Sequence, residues 1–586
     1  MKVMKYVAVL AVALLALASA SNAQNLQFLG GGSSALFLEL GQAAVIAEGG
    51  AGVACVWSSN ALATNDVAAT DSRPTTADVQ NGKVWVVWDK GTGADCQHPA
   101  GSFNVYTYLS VDSVIGDRCY FATDSTGTSG CVANYTPTQT EGNTAANLLG
   151  TGFTDSASNA ACAGTNSPCI IPTTVTSFIN GKRWFVAGTD IRPEDAKFAS
   201  FRALTSCTTT IFRSPFGGGL TTTSGLGYNV GGAQTGVGVP IQSFYSAPVF
   251  TVVDFNISGN DPFNTTRPVP AYTVNTVGAQ PIVVAVAPAG GTGLGAATDI
   301  NTFTLTLFYN GVLGRATDLI GPTANPSLLE VLVREPLSGT FNTFEYSVPN
   351  SNQFHTSQEL ANCNGGTGAP AANPMNLQSA NGKVATARRR VLGTGEMVST
   401  LIAATTTDQR MGYFFWSVGN VGTGSKFTAT NGKYLTVNGV DPLQNTYSDG
   451  VFPGVDVGHP IANVTFKNLN SGDYPIWSAL RLVSTSPTPA GVTTLISAAQ
   501  TLNSTQNDFI PLSKLAVWHS HFAIPQVNVG AAALGATINT SGDLCGAAGA
   551  LPELGGDAGG SNVLKVANAD FCTDFSNTTG LINASN

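Results

Sequence analysis

Arg334, followed by Ser338, Gly339 and Thr340, is a pattern that could hold an oxyanion. The guanidinium supplies a planar bidentate fork, the two hydroxyls add donors, and glycine lets main-chain N–H groups face a ligand. An aromatic-rich stretch, 341–346, comes next. The same segment would also suit a surface turn with a solvated arginine. Thr189-Asp190, inside the stretch 186–193, is a second candidate. It follows an apolar run, so Asp190 would lie beyond the carboxyl end of a parallel strand, where such sheets bind ligands. Asp190 could equally cap a helix opening at Pro193. The third candidate is Gly30-Gly31-Gly32-Ser33-Ser34-Ala35. Its glycines permit close backbone approach, and its serines can cap a helix or donate to an anion at the helix amino terminus. A glycine turn with capping serines is the simpler account of this segment. It is not a P-loop, because no Gly-Lys-Ser/Thr follows.

The elements that would position these groups read as alternating strand and helix. Short apolar runs at 84–88, 184–187, 249–255, 282–287, 303–308 and 412–416 fit strands covered on both faces. Leu36–Ala47 puts Leu36, Leu40, Ala43 and Ala44 on one helical face, and 193–204 opens with proline and two acids, a helix start. Strand, loop and helix recur, which predicts α/β architecture. Residues 122–180 are rich in Thr, Ser, Asn and Gly and read as a surface insertion; 540–586 have similar character.

Bulk properties narrow the function. Lys2 and Lys5, the apolar run 7–18 and Ser21-Asn22-Ala23 read as an export signal over 1–23. The run falls short of the ~20 apolar residues a membrane span needs, so no membrane insertion is expected. Charged residues make up only 10% of the chain, against about 25% in typical soluble domains. A net charge of −9 argues against nucleic acid as a partner but leaves room for a locally positive anion site. Ten cysteines in an exported chain predict disulfides. Cys119 with Cys131, Cys162 with Cys169 and Cys545 with Cys572 are the local pairings; Cys55, Cys96, Cys207 and Cys363 need longer-range partners.

In order along the chain, the three segments resemble the phosphate-binding proteins of bacterial phosphate ABC transporters and their wider periplasmic solute-binding superfamily. Gly30–Ala35 is similar to the family's first loop, with Ala35 where an aromatic is usual. Thr189-Asp190 is similar to its Ser/Thr-Asp turn, and Arg334, Ser338, Gly339 and Thr340 to its Arg-x-x-x-Ser-Gly-Thr signature. Leu307–Leu319, Met411-Gly412-Tyr413 and Tyr474-Pro475-Ile476 are weaker echoes. Pro336 stands where the family usually has a carboxylate supporting the arginine.

The resemblance implies a two-lobed periplasmic-binding-protein-like α/β fold with a hinge of two crossing strands. Lobe I would comprise 24–275 and 425–586, and lobe II 276–424. It implies a non-enzymatic, extracytoplasmic solute-binding protein, monomeric, that holds phosphate or a similar oxyanion and can deliver it to a transporter's membrane component. The ligand-binding residues would be Ser33, Ser34, Ala35, Thr189, Asp190, Arg334, Ser338, Gly339 and Thr340, with Ser110 and Ser113 from the family's serine loop. The alternative is an extracellular structural or adhesive protein on the same fold that has lost its ligand.

Other motifs weigh less. His519 and His521 share a strand face but have no third metal ligand in view, so neither metal nor cofactor is expected. Arg388-Arg389-Arg390 reads as a solvated turn.

Overall fold

The computed structural model describes residues 24–50, 53–59, 83–121, 130–133, 135, 171–191, 196, 253–256, 272–289, 293–309, 313–322, 329–334, 338–348, 376–377, 386–391, 393–421, 427–444, 447, 449–502 and 508–514. Within these, the β-branched and aromatic runs form strands, as their propensity favours. In chain order they are β1 (Asn25–Ser33), β2 (Cys55–Ser59), β3 (Lys83–Trp88), β4 (Asn104–Val111), β5 (Gly130–Ala133), β6 (Val186–Thr189), β7 (Val253–Asn256), β8 (Tyr272–Ala287) and β9 (Asp299–Ile300). There follow β10 (Leu329–Arg334), β11 (Asn376–Leu377), β12 (Thr386–Val391), β13 (Gln409–Phe415), β14 (Lys433–Tyr434), β15 (Thr436–Val437), β16 (Trp477–Thr485) and β17 (Ile510–Pro511). The main helices are α1 (Phe37–Ala47), α2 (Ser113–Phe121), α3 (Thr173–Ile179), α4 (Thr302–Tyr309), α5 (Gly339–Ser347), α6 (Gly393–Ile402) and α7 (Ala490–Ala499).

One mixed sheet of order β11-β12-β10-β13-β8-β16-β6-β1-β4-β3-β2 dominates. It contains two parallel trios, β6-β1-β4 and β12-β10-β13. Between them run β8 and β16, paired antiparallel. β8 belongs to both halves. Its first part pairs with β16, and from Ile282 onward it pairs with β13. Pro281 stands at the change of partner, where a missing N–H costs least. The Trp416 N–H donates to the Pro281 carbonyl and the Ile282 N–H to that of Ile476. Gln280, buried beside this crossing, donates its amide to the Trp416 and Asp508 carbonyls. Residues 433 and 434 still pair with the second part of β8, and the chain rejoins the first at β16.

Both faces of the sheet are covered, which explains runs such as Val84–Trp88 in which every residue is apolar. Val84, Val86 and Trp88 pack into one core, Trp85 and Val87 into another. The second core continues across β8 into the other half through Val284, Val286, Val331 and Val333. Disulfides join Cys55 to Cys96 and Cys119 to Cys131, the latter as expected, and suit an oxidising compartment. Among the described residues, no helix is long and apolar enough to cross a membrane.

Several expectations need correction. Phe303–Phe308 is helix α4, not a strand: Leu305 and Phe308, three apart, are buried while Phe303 is exposed. Its alternating threonines mimic a strand period, but the Asn301 side chain accepts the Thr304 N–H and caps the first helical turn. Arg388–Arg390 lie in β12, held by pairing with β10, rather than in a turn. Gly30–Ser33 complete β1 rather than forming a loop. The three glycines serve packing: a Cβ at Gly30 or Gly32 would run into the β6 main chain at Val186 or Gly188, and one at Gly31 into the Trp184 ring. Helix α2 crosses the same strand at Gly116, where a Cβ would stand 2.6 Å from both the Gly31 carbonyl oxygen and the Gly32 Cα. The segments 193–195, 197–204, 518–522 and most of 122–180 lie outside the described residues, as do Cys162, Cys169, Cys207, Cys363, Cys545 and Cys572.

The close approach at Gly116 yields a stability prediction. Gly116→Val forces helix and strand apart and is expected to cost at least ~1–3 kcal/mol. Urea unfolding should show a lower midpoint at unchanged slope.

Candidate functional site

The candidate residues gather at the carboxyl ends of parallel strands from both halves of the sheet, the position that open α/β sheets use for ligands. β1 ends at Ser33, β4 at Val111 just before Asp112 and Ser113, and β6 at Thr189 just before Asp190. From the other half, β10 ends at Arg334, and β12 is followed by Gly393 and Thr394 in the first turn of α6. Helices α2, α5 and α6 therefore begin here, each with a partial positive charge at its start.

Asp190 is the centre. Its side chain is almost wholly buried. Ser113 donates its hydroxyl to Asp190 Oδ1, and the Asp190 N–H approaches the same hydroxyl at 3.4 Å. Gly339, the first residue of α5, lies directly against this pair; a Cβ there would overlap Asp190 Oδ1 and Ser113 Oγ. The glycine of the Ser-Gly-Thr segment is thus required by close approach between the two halves. Asp190 Oδ2 is buried and accepts no hydrogen bond among the described residues. Burial raises the Asp190 pKa to about 7; its own main-chain N–H and then the Arg334 and Arg481 charges oppose the rise.

Arg334 is equally buried. Its guanidinium donates to Thr394 Oγ1 at 3.1 Å and Thr340 Oγ1 at 3.5 Å, and pairs with Asp112 at 3.4 Å. The Asp112 contact spans 222 residues of sequence. Asp112 therefore supplies the carboxylate partner that Pro336, in the arginine's own loop, cannot.

The remaining candidates divide. Ser338 caps α5 by accepting the Phe341 N–H at 3.3 Å. Ser33 plays the same part for the 3-10 turn Ser34–Leu36, accepting the Ala35 N–H at 3.2 Å. Ser33 also accepts the Tyr108 hydroxyl on its carbonyl. Ala35 is buried and Ser34 half-buried beside it. Thr189 turns inward on its own chain, bonding the Ile191 N–H and carbonyl. Ser110 is buried in β4 opposite Gly32, and its hydroxyl is not among the groups found to meet Asp190 or Arg334. Asp190, Ser113, Arg334, Gly339 and Thr340 thus form one cluster, and Ser33, Ser34, Ala35, Thr189, Ser110 and Ser338 lie at the strand ends and helix starts around it.

Against this geometry, the chain is similar in part to solved phosphate-binding proteins. An ABC-type phosphate transport receptor from Vibrio cholerae is 15% identical over 41% of this chain and 70% of its own, with a TM-score of 0.23. A phosphate-binding protein from Stenotrophomonas maltophilia is 16% identical over 43% and 72%, at 0.25. A high-affinity periplasmic phosphate-binding protein solved with phosphate is 14% identical over 69% and 83%, at 0.29. At these values the likenesses carry no functional weight of their own. No protein-family model matches the chain, and no curated protein does.

Four polar groups of the site went unread in the sequence. Asp112 stands between Ser110 and Ser113, and nothing in that pattern marks it as the partner of an arginine 222 residues away. Thr394 stands in Gly393-Thr394-Gly395 after a strand, a glycine-rich helix start that pattern alone could have flagged. Ser478 and Arg481 reach the Asp190 carbonyl from β16. A lone arginine in the apolar run of β16 was itself a signal, since a buried charge needs a partner.

The raised pKa of Asp190 sets a pH dependence. The folded carboxyl holds its proton more tightly than the unfolded one. The stability it contributes is complete below the unfolded value near 4, and is lost as pH rises through about 7. Asp190→Asn should therefore gain stability relative to wild type between pH 4 and pH 8, read as the difference in urea unfolding free energies.

Proposed function

We propose that the chain binds a tetrahedral oxyanion, phosphate first, where the two halves of the sheet meet. One observation carries this reading: a buried arginine and a buried carboxylate from opposite halves stand among the amino termini of three helices. Arg334 and the helix termini favour an anion. Asp190 then selects among anions. Its free Oδ2 can accept a hydrogen from a ligand that brings one, as phosphate does near neutral pH. Sulfate brings none and would set two acceptors against each other in a buried place. Arg334, Asp190, Ser113, Gly339 and Thr340 would face the ligand, and Ser33, Ser34, Ala35, Thr189, Ser110 and Ser338 would shape the loops around it.

The two halves would act as lobes, 24–275 with 425–586 against 276–424, moving about the β8 and β16 crossing. Such closure shifts a population between open and closed states and performs no chemistry. In this reading the protein works outside the cytoplasm as a monomer, and a transporter's membrane component is the partner that would receive the ligand.

One observation favours the alternative of a structural protein without ligand. Asp112 already neutralises Arg334, and Asp190 already meets the start of α5. Phosphate-dependent thermal stabilisation separates the two, since a ligand bound only by the folded state raises the melting temperature with its concentration.

Removing Arg334 altogether would leave Asp112 as an unpaired buried charge. Arg334→Lys keeps the charge and loses the fork, so it is the cleaner test. We expect calorimetry to show phosphate affinity reduced roughly tenfold to a hundredfold, the loss of one charge-assisted hydrogen bond, with the fold retained. Unchanged affinity would remove Arg334 from the site.

A further inference from the structure

Asp190 lies on the border of two strands, β6, which leads to it, and β16, which pairs with β6. From β16, Arg481 donates through Nη1 to the Asp190 carbonyl at 3.2 Å and to its neighbour Ala479's carbonyl at 3.0 Å. The Ser478 hydroxyl donates to the same Asp190 carbonyl. Both side chains are wholly buried. Arg481 pairs with Thr189 on β6, the residue before Asp190. On its other side the register with β8 shifts between Leu480 and Arg481, so that Val277 is an extra residue in β8. Bulges of this kind bend strands beside sites and re-aim side chains. The sheet is thus irregular at the residue that delivers a cation beneath the site.

A buried guanidinium is expensive, and hydrophobic residues of similar volume usually stabilise a strand at least as well. Holding a carbonyl does not require a full charge, as Ser478 demonstrates at the same oxygen. What the charge adds is an attraction for the carboxylate on the same residue. We propose that Arg481 is a positioning residue for Asp190, fixing its main chain by hydrogen bonding and its carboxylate by charge. This deepens the anion-binding reading, because the acceptor that would choose between protonated and unprotonated oxyanions is useful only while it remains a carboxylate.

Among the described residues, the groups facing Asp190 are few. Arg334 approaches from β10, with Asp112 beside it. Ser113 comes from α2 and Gly339 from α5. Tyr108 on β4 has its pKa raised by burial and then by the charges of Asp190, Asp117 and Glu39, so it stays protonated throughout the useful range. Arg334 is shared with Asp112, which leaves Arg481, among the described residues, as the cation bonded to Asp190's own backbone. Consistent with this, the charges of Arg334 and Arg481 both hold the Asp190 pKa below what burial alone would give.

The test reads Asp190 directly and needs no ligand. Unfolding free energies are measured from pH 4 to pH 9 for wild type and Asp190→Asn, and their difference isolates the step due to Asp190. Glu39, Glu48 and Asp508, whose carboxyls are also raised, cancel in that difference. The same pair of measurements is repeated with Arg481→Gln, which keeps an N–H donor and loses the charge, and with Arg481→Lys, which keeps the charge.

With Arg481→Gln the step is expected to move to higher pH, and with Arg481→Lys to stay near its wild-type position. A step that does not move with Gln overturns the proposal. Should Arg481→Gln not fold, the lysine variant decides: an upward shift in a folded lysine variant means that charge is not what Arg481 supplies. Phosphate titration of the same proteins reads the anion-binding function separately. A moved step without phosphate binding in any of them would overturn that function and leave the role of Arg481 standing.

Discussion

The constraint on which the site depends is a carboxylate taken out of water. An isolated ionised carboxylate is too costly to bury, so it must either find charged partners or keep its proton. Asp190 sits between these outcomes. Burial drives its pKa upward, while its main-chain N–H, Arg334 and Arg481 pull it back to about 7. Its neighbours are arranged accordingly. Ser113 donates to one oxygen, glycine replaces any side chain at 339, and cations approach from β10 and β16. These contacts join residues far apart in sequence, so the site exists only when both halves of the sheet have formed and met.

The architecture makes that meeting possible. Two parallel trios point strand ends and helix starts at one place, and the antiparallel pair β8 and β16 holds the trios side by side. β8 serves both halves because it is long and because its partner changes at Pro281, where one lost donor does no harm. Gln280 ties the crossing to the segments around Trp416 and Asp508. Asp508 in turn accepts the Val418 N–H and the Ser417 hydroxyl, so the end of β13 is anchored at the same crossing.

Much of the fold was legible because burial on both faces writes itself as unbroken apolar runs. β3, β13 and the second part of β8 were visible in this way, as was the buried face of α1. Helix α4 was misread because Thr-Phe-Thr-Leu-Thr-Leu-Phe alternates like a strand, while the capping Asn301 and the spacing of Leu305 and Phe308 decide otherwise. Of the site, Arg334, Gly339, Thr340 and Asp190 were legible as segments whose residue types suit an anion. The partners of Asp112, Thr394 and Arg481 were not legible, because those pairings span 222, 60 and 291 positions of the chain. The glycines of β1 were seen, but close packing against the Trp184 ring and the Gly188 main chain, rather than a ligand, explains Gly31 and Gly32.

The central claim is that Asp190 serves as a buried acceptor for an anion that carries its own hydrogen. Calorimetric titration of wild type and Asp190→Asn with phosphate and with sulfate at pH 8 tests it most directly, because Asp190 is then mostly ionised. The account predicts that wild type binds phosphate and rejects sulfate, and that Asp190→Asn narrows the difference because an amide can donate. Equal affinity of wild type for the two anions would contradict it and leave Asp190 as a purely structural carboxylate.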